Sequence, residues 1–99
     1  IRAGVTCGAI DRIAREFLEE AGLGAHFSHG TGHGVGLDVH EAPRLAAGRE
    51  EILCAGMVVT VEPGIYLPGD WGIRIEDTVL VKEEGCEILT QTSKDLNVL

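Results

Sequence analysis

Apolar residues recur at three- and four-residue steps through residues 6–22. Ile10, Ile13, Ala14, Phe17, Leu18 and Ala21 form one stripe, and Asp11, Arg12, Arg15, Glu16, Glu19 and Glu20 take the other side. The pattern predicts an amphipathic helix, with Thr6 as its N-cap and Gly22 as its C-terminal stop. From Met57 the texture changes. "MVVTVEPGIYL" is rich in β-branched residues and runs into Pro63-Gly64. "IRIEDTVLVK" alternates, with Ile73, Ile75, Val79 and Val81 on one face and Arg74, Glu76 and Thr78 on the other. "PGDWG" and "EEG" read as turns, and "CEILT" as a last short strand. Residues 44–56 read as a connecting segment with little chemistry. One helix followed by a mostly antiparallel sheet is an α+β fold.

Composition narrows the function classes. The 99 residues suit one domain, and a hydrophobic share of 44% is that of a globular protein. Sixteen acidic against eight basic residues give a net charge of −8. That balance argues against a nucleic-acid partner. No apolar run approaches the ~20 residues needed to span a bilayer, and the N-terminus lacks a basic-then-apolar leader. Cys7, Cys54 and Cys86 are odd in number and widely spaced. They read as reduced core thiols of a cytoplasmic protein.

The chemistry concentrates in residues 29–40, "HGTGHGVGLDVH", which hold three of the four histidines and four glycines. So many glycines preclude a stable helix, so His29 and His33 are not the paired imidazoles of a helical zinc motif. No nucleotide-binding glycine loop can be read there either. The glycines would let a loop and the short strand-like "VGLDV" pass close to a ligand. Glu62 ends "VVTVE", and Glu76 lies inside an apolar alternation. A carboxylate buried in a strand needs a partner or a cation. Imidazole with carboxylates suits a divalent ion such as manganese, cobalt or zinc. Each residue alone also has a plain structural reading: an edge glutamate, or a hydrogen-bonded histidine. Spacing does not settle whether His33, Glu62 and Glu76 converge.

Three stretches, "HGTGHGVGLDVHEAPRL", "GMVVTVEPGIYLPGDWGIRIEDTVLV" and "GCEILTQTSKDL", resemble the C-terminal half of the pita-bread metallopeptidases. They are most similar to the proline-specific branch, the Xaa-Pro aminopeptidases and Xaa-Pro dipeptidases (prolidases). The resemblance implies half of a pita-bread fold, with one helix packed on a curved sheet. It implies that His33, Glu62 and Glu76 are metal ligands in a site for two divalent ions. It gives Glu62 a further role as proton shuttle, and His40 contact with the substrate and its scissile carbonyl. His29 would line the proline end of the pocket, and Arg74 would support the site. The implied substrate is a peptide with proline in its second position. The implied assembly is a cytoplasmic homodimer of the longer chain.

Two aspartate ligands of that family have no match. Asp11 lies in the predicted helix, Asp38 beside His40, Asp70 in a turn, Asp77 after Glu76 and Asp95 in the tail. With Ile1 as the first residue, residues 1–99 are expected to be the C-terminal part of a catalytic domain and inactive alone. The alternatives are a pita-bread module that binds peptides or proteins without catalysis, a methionine aminopeptidase-like enzyme, or a metal-free creatinase-like hydrolase. His33, His40, Glu62 and Glu76 favour the metal-dependent peptidase.

Overall fold

The computed structural model describes residues 1–99. Thr6 caps α1 (Cys7–Glu20), its hydroxyl accepting the Ala9 N–H at 3.3 Å. Gly22, at φ +75°, takes the chain past the helix end. A short turn, Gly24–His26, leads to β1 (Gly32–Gly34), β2 (Glu41–Leu45) and β3 (Val58–Val61). Then come β4 (Gly64–Leu67), β5 (Trp71–Arg74), β6 (Asp77–Val81) and β7 (Cys86–Ile88). Five strands form one sheet in the order β2-β1-β3-β6-β7, every neighbouring pair antiparallel. The β4–β5 hairpin stands apart from it. The architecture is α+β, as the pattern predicts. No helix is long and apolar enough to cross a membrane.

The two β-rich runs are each interrupted once, and the interruptions face each other. Pro63 has no N–H to offer a ladder, and pairing stops at Glu62-Pro63 on one side and Ile75-Glu76 on the other. Val61 pairs with Asp77 before the gap, and Gly64 with Arg74 after it. The register is therefore the same on both sides, and Glu62 lies opposite Glu76.

The core differs from the pattern in three places. Leu45 and Leu53, from the segment read as a mere connection, are fully buried. They join Cys7, Ile10, Val59, Val79 and Val81 in one cluster. On α1 the polar side contributes to the interior: Asp11 is 0% exposed, while Ile13 and Phe17 of the apolar stripe are 64% and 72% exposed. Asp11 is held there by charge-assisted bonds to Arg15 and bonds to Thr31, which offset its desolvation. Of the cysteines only Cys7 is a core thiol; Cys54 and Cys86 are exposed. Burial, and then the nearby Glu51 charge, raise the Cys7 pKa.

Leu53→Ala is expected to cost about 2–5 kcal/mol, since it opens a cavity in the packed cluster. Phe17→Ala should stay within about 0.5 kcal/mol. Urea titrations of the two variants check this ranking. A maleimide reagent at neutral pH should label Cys54 and Cys86 in the native protein and reach Cys7 only on unfolding. Mass spectrometry of the labelled peptides reads the result.

Candidate functional site

His33 sits in the middle of β1, between Gly32 and Gly34. A Cβ on Gly32 would overlap the carbonyl oxygen of Thr60 on β3, and one on Gly34 would overlap that of Ala42 on β2. Neither glycine has positive φ. Their small size is used to bring strands together, not to admit a ligand. The stretch after them, read as strand-like, is a bend: β2 begins at Glu41, and Leu37 and Val39 are exposed.

The close approach to β3 builds the first half of the site. The His33 N–H donates to Thr60 Oγ1 at 3.0 Å. The Thr60 hydroxyl donates to Glu62 Oε1 at 2.8 Å. The Glu62 N–H donates to the carbonyl of Thr31 at 2.7 Å. His33 Nδ1 lies 2.9 Å from the Gly34 carbonyl, which can only accept, so Nδ1 carries a proton. Nε2 then faces Glu62 Oε1 at 3.0 Å, and both side chains are nearly buried. The His40 ring meets His33 edge-on, with centroids 4.5 Å apart.

The second half comes from the β4–β5 hairpin. Arg74 Nε lies 3.7 Å from Glu62 Oε2 and 3.7 Å from Glu76 Oε2. It thus stands between two carboxylates that the register sets opposite each other. The Arg74 pKa is raised, first by Tyr66 beside it and then by the Glu62 and Glu76 carboxylates. The Tyr66 hydroxyl is 2.7 Å from His29 Nε2. His29 Nδ1 donates to the Gly30 carbonyl at 2.7 Å, so neutral His29 accepts the Tyr66 proton at Nε2. Tyr66 is thus bonded to His29 and stands beside Arg74.

These side chains surround two open recesses. One, of about 310 Å³, is lined by His29, His33, His40, Arg44, Glu62 and Arg74. The other, of about 510 Å³, has His33, His40, Thr60, Glu62, Arg74 and Glu76 among its lining residues. His29, His33, His40, Glu62, Arg74 and Glu76 thus all border this region. Thr60, Tyr66 and Arg44 border it or bond into it without having stood out in the sequence. A period-two reading of β3 could have found Thr60, two residues before Glu62. The pairing of His33 with Arg44 across β1 and β2 depends on register, which no single run reveals.

No three His, Cys, Asp or Glu side chains converge closely enough to enclose an ion. His33 and Glu62 touch, whereas Glu76 is parted from them by the Arg74 guanidinium, whose single charge is shared between the two carboxylates. The donors nonetheless fit a divalent cation. His33 Nε2 and Glu62 Oε1 face one another at 3.0 Å, and a neutral imidazole and a carboxylate are each a ligand type for such ions. A Nδ1–H bond to a backbone carbonyl is also how ligating imidazoles are commonly oriented.

Comparison with known proteins identifies the family. Residues 1–83 match the model of metallopeptidase family M24. The chain is 50% identical over 95 residues to an Xaa-Pro dipeptidase of Pyrococcus furiosus, covering 96% of the chain and 27% of that protein. Its structure is similar to an Xaa-Pro dipeptidase from Bacillus anthracis, with a TM-score of 0.96 and 49% identity over 100% of this chain and 28% of that one. It is also similar to an X-Pro aminopeptidase from Thermotoga maritima, with a TM-score of 0.91 and 51% identity, covering 95% and 27%. The chain thus spans little more than a quarter of these relatives' length. With a match over most of its residues and a nearly superposable fold, the chain belongs to metallopeptidase family M24.

Proposed function

We propose that residues 1–99 are the C-terminal part of the catalytic domain of a peptidase that cleaves peptides with proline in the second position. The observation that carries this reading is the His33–Glu62 pair with Glu76 opposite it, inside a recess edged by His29, His40 and two arginines. His33, Glu62 and Glu76 would hold two divalent ions, manganese, cobalt or zinc. Such ions, when bound, supply Lewis acidity that makes a water acidic and polarises a carbonyl.

The remaining work falls to this chain's own groups. Glu62 takes and returns a proton, and the Thr60 hydroxyl on Oε1 keeps the carboxylate aligned for it. His40, against the His33 ring, donates to the oxygen of the scissile carbonyl. His29, locked by Tyr66, lines the end of the recess that takes proline. Arg44 and Arg74 border the same recess, so a free substrate carboxylate has two guanidiniums within its walls. That favours dipeptides over longer peptides.

Two features support membership in a larger catalytic domain. Glu62 and Glu76 bring two negative charges, and neutral His33 brings none, against the four positive charges of two divalent ions. Further anionic ligands must come from residues outside these 99. An apolar recess lined by Ala14, Phe17, Leu18, Ile65, Ile73 and Ile75 is also left open beside α1. The longer chain would cover it and would form a homodimer in the cytoplasm. A non-catalytic peptide-binding module is the second reading. It would need no proton shuttle, and the Thr60–Glu62–His33 bonds argue against it.

Titration with manganese or cobalt and assay on an Xaa-Pro dipeptide test the proposal. The 99-residue chain alone should bind metal weakly and show no turnover. The protein extended by its upstream coding sequence should do both. Tight binding of two ions with turnover by the chain alone would refute the part-domain reading. Turnover by neither would favour the binding module.

In the extended protein, Arg74→Ala should lower turnover on the same dipeptide about tenfold or more while leaving metal content nearly intact. The guanidinium orients two carboxylates but cannot itself ligate a cation. Lost metal with unchanged turnover per bound ion would show that Arg74 acts only by holding the ligands.

A further inference from the structure

We propose that Asp11 and Arg15 are positioning residues of the site: through Thr31 and the carbonyls of Phe27 and His29 they set the path of the segment that carries His29 and seats Glu62. The proposal deepens the peptidase reading above and rests on it for the reaction affected. Asp11 is a fully buried carboxylate that no step of that mechanism uses. Its burial is costly unless its lone pairs are satisfied. Oδ2 accepts from Arg15 Nε at 2.6 Å. Oδ1 accepts both the N–H and the hydroxyl of Thr31, each at 3.0 Å.

Arg15 completes the grip. Its Nη1 donates to the Phe27 carbonyl at 3.1 Å and its Nη2 to the His29 carbonyl at 2.6 Å. The guanidinium lies over the Phe27 ring, 4.5 Å from its centroid. The Phe27 ring meets His29 nearly perpendicularly, with centroids 5.2 Å apart. Residues 27, 29 and 31 alternate along the chain, so the pair holds the segment at three successive positions.

The grip reaches the reacting groups by short routes. The His29 imidazole is bonded to Tyr66, which meets Arg74. The Thr31 carbonyl accepts the Glu62 N–H at 2.7 Å. Asp11 is thus linked to the Glu62 backbone through a single residue. His33 follows Thr31 by two positions. A shift of this segment by about 1 Å would move His29 and Glu62 together, and misplacement on that scale costs on the order of 100-fold in rate.

The test uses the full-length protein with ¹⁵N-labelled histidine. The His29 Nε2 resonance reports the bond from Tyr66, and an Xaa-Pro dipeptide reports kcat and KM. Arg15→Lys keeps the charge but cannot reach both carbonyls, and Thr31→Val removes one hydroxyl and no charge. Both should move the His29 resonance and lower kcat/KM about tenfold or more, well below their Tm. Glu16→Gln, on the exposed Arg12–Glu16 pair, should do neither. Asp11→Asn should have the largest effect; where it fails to fold, Thr31→Val decides. A lowered Tm with the resonance and kcat/KM both within twofold of wild type would overturn the proposal. So would a moved resonance with unchanged kinetics. Absence of turnover in the wild-type protein would instead defeat the peptidase reading. An unmoved His29 resonance would then defeat the clamp as well, and a moved one would uphold it.

Discussion

The backbone of residues 31–34 lies between two strands at a distance that leaves no room for side chains at 32 and 34. Everything polar in the site depends on that approach. With Gly32 against the Thr60 carbonyl and Gly34 against that of Ala42, His33 is carried in the centre of the sheet. Its N–H then reaches the Thr60 hydroxyl, its ring reaches Glu62, and the Thr31 carbonyl receives the Glu62 N–H. A side chain on either glycine would part the strands and separate the imidazole from the carboxylate. The glycines are therefore structural in means and functional in consequence.

The second constraint is electrostatic. A shared register on both sides of the Pro63 interruption sets Glu62 and Glu76 opposite each other. Like charges in that relation repel. Arg74, at 3.7 Å from both, relieves part of the repulsion, while Tyr66 is bonded to His29. One cation thus bridges the two carboxylates.

Elements with strong periodicity or rare chemistry were legible in the sequence. The α+β class, the Thr6 cap and the Gly22 stop follow from pattern alone. His29, His33, His40, Glu62, Arg74 and Glu76 stood out because ionisable groups among glycines or within apolar strands demand an explanation. Their supports did not. Thr60 and Tyr66 are ordinary strand residues, and what they touch is decided by pairing between segments far apart in sequence. Leu45 and Leu53 lacked any period to mark them, yet they fill the centre of the core. The interruption between β5 and β6 was hidden because Ile73, Ile75, Val79 and Val81 keep one parity across it, with only Asp77 out of pattern at that parity.

The helix shows why a hydrophobic stripe is a weaker guide than it looks. Fully burying a side chain such as Phe or Ile is worth about 1.5–3 kcal/mol, so an exposed Phe17 and Ile13 forgo much of that. Burying an ionised Asp11 costs several kcal/mol before its partners are counted. The face that turns inward nevertheless carries Asp11 beside Cys7 and Ile10. It does so because this carboxylate meets a matched guanidinium and two donors on one residue, while the guanidinium spends its other nitrogens on carbonyls that would otherwise lack partners. Burial of Asp11 follows from the completeness of that network, and that of Cys7 and Ile10 from hydropathy. The same network places the helix against residues 27–31 in one orientation, which an apolar contact of similar area, being non-directional, would leave free to rotate.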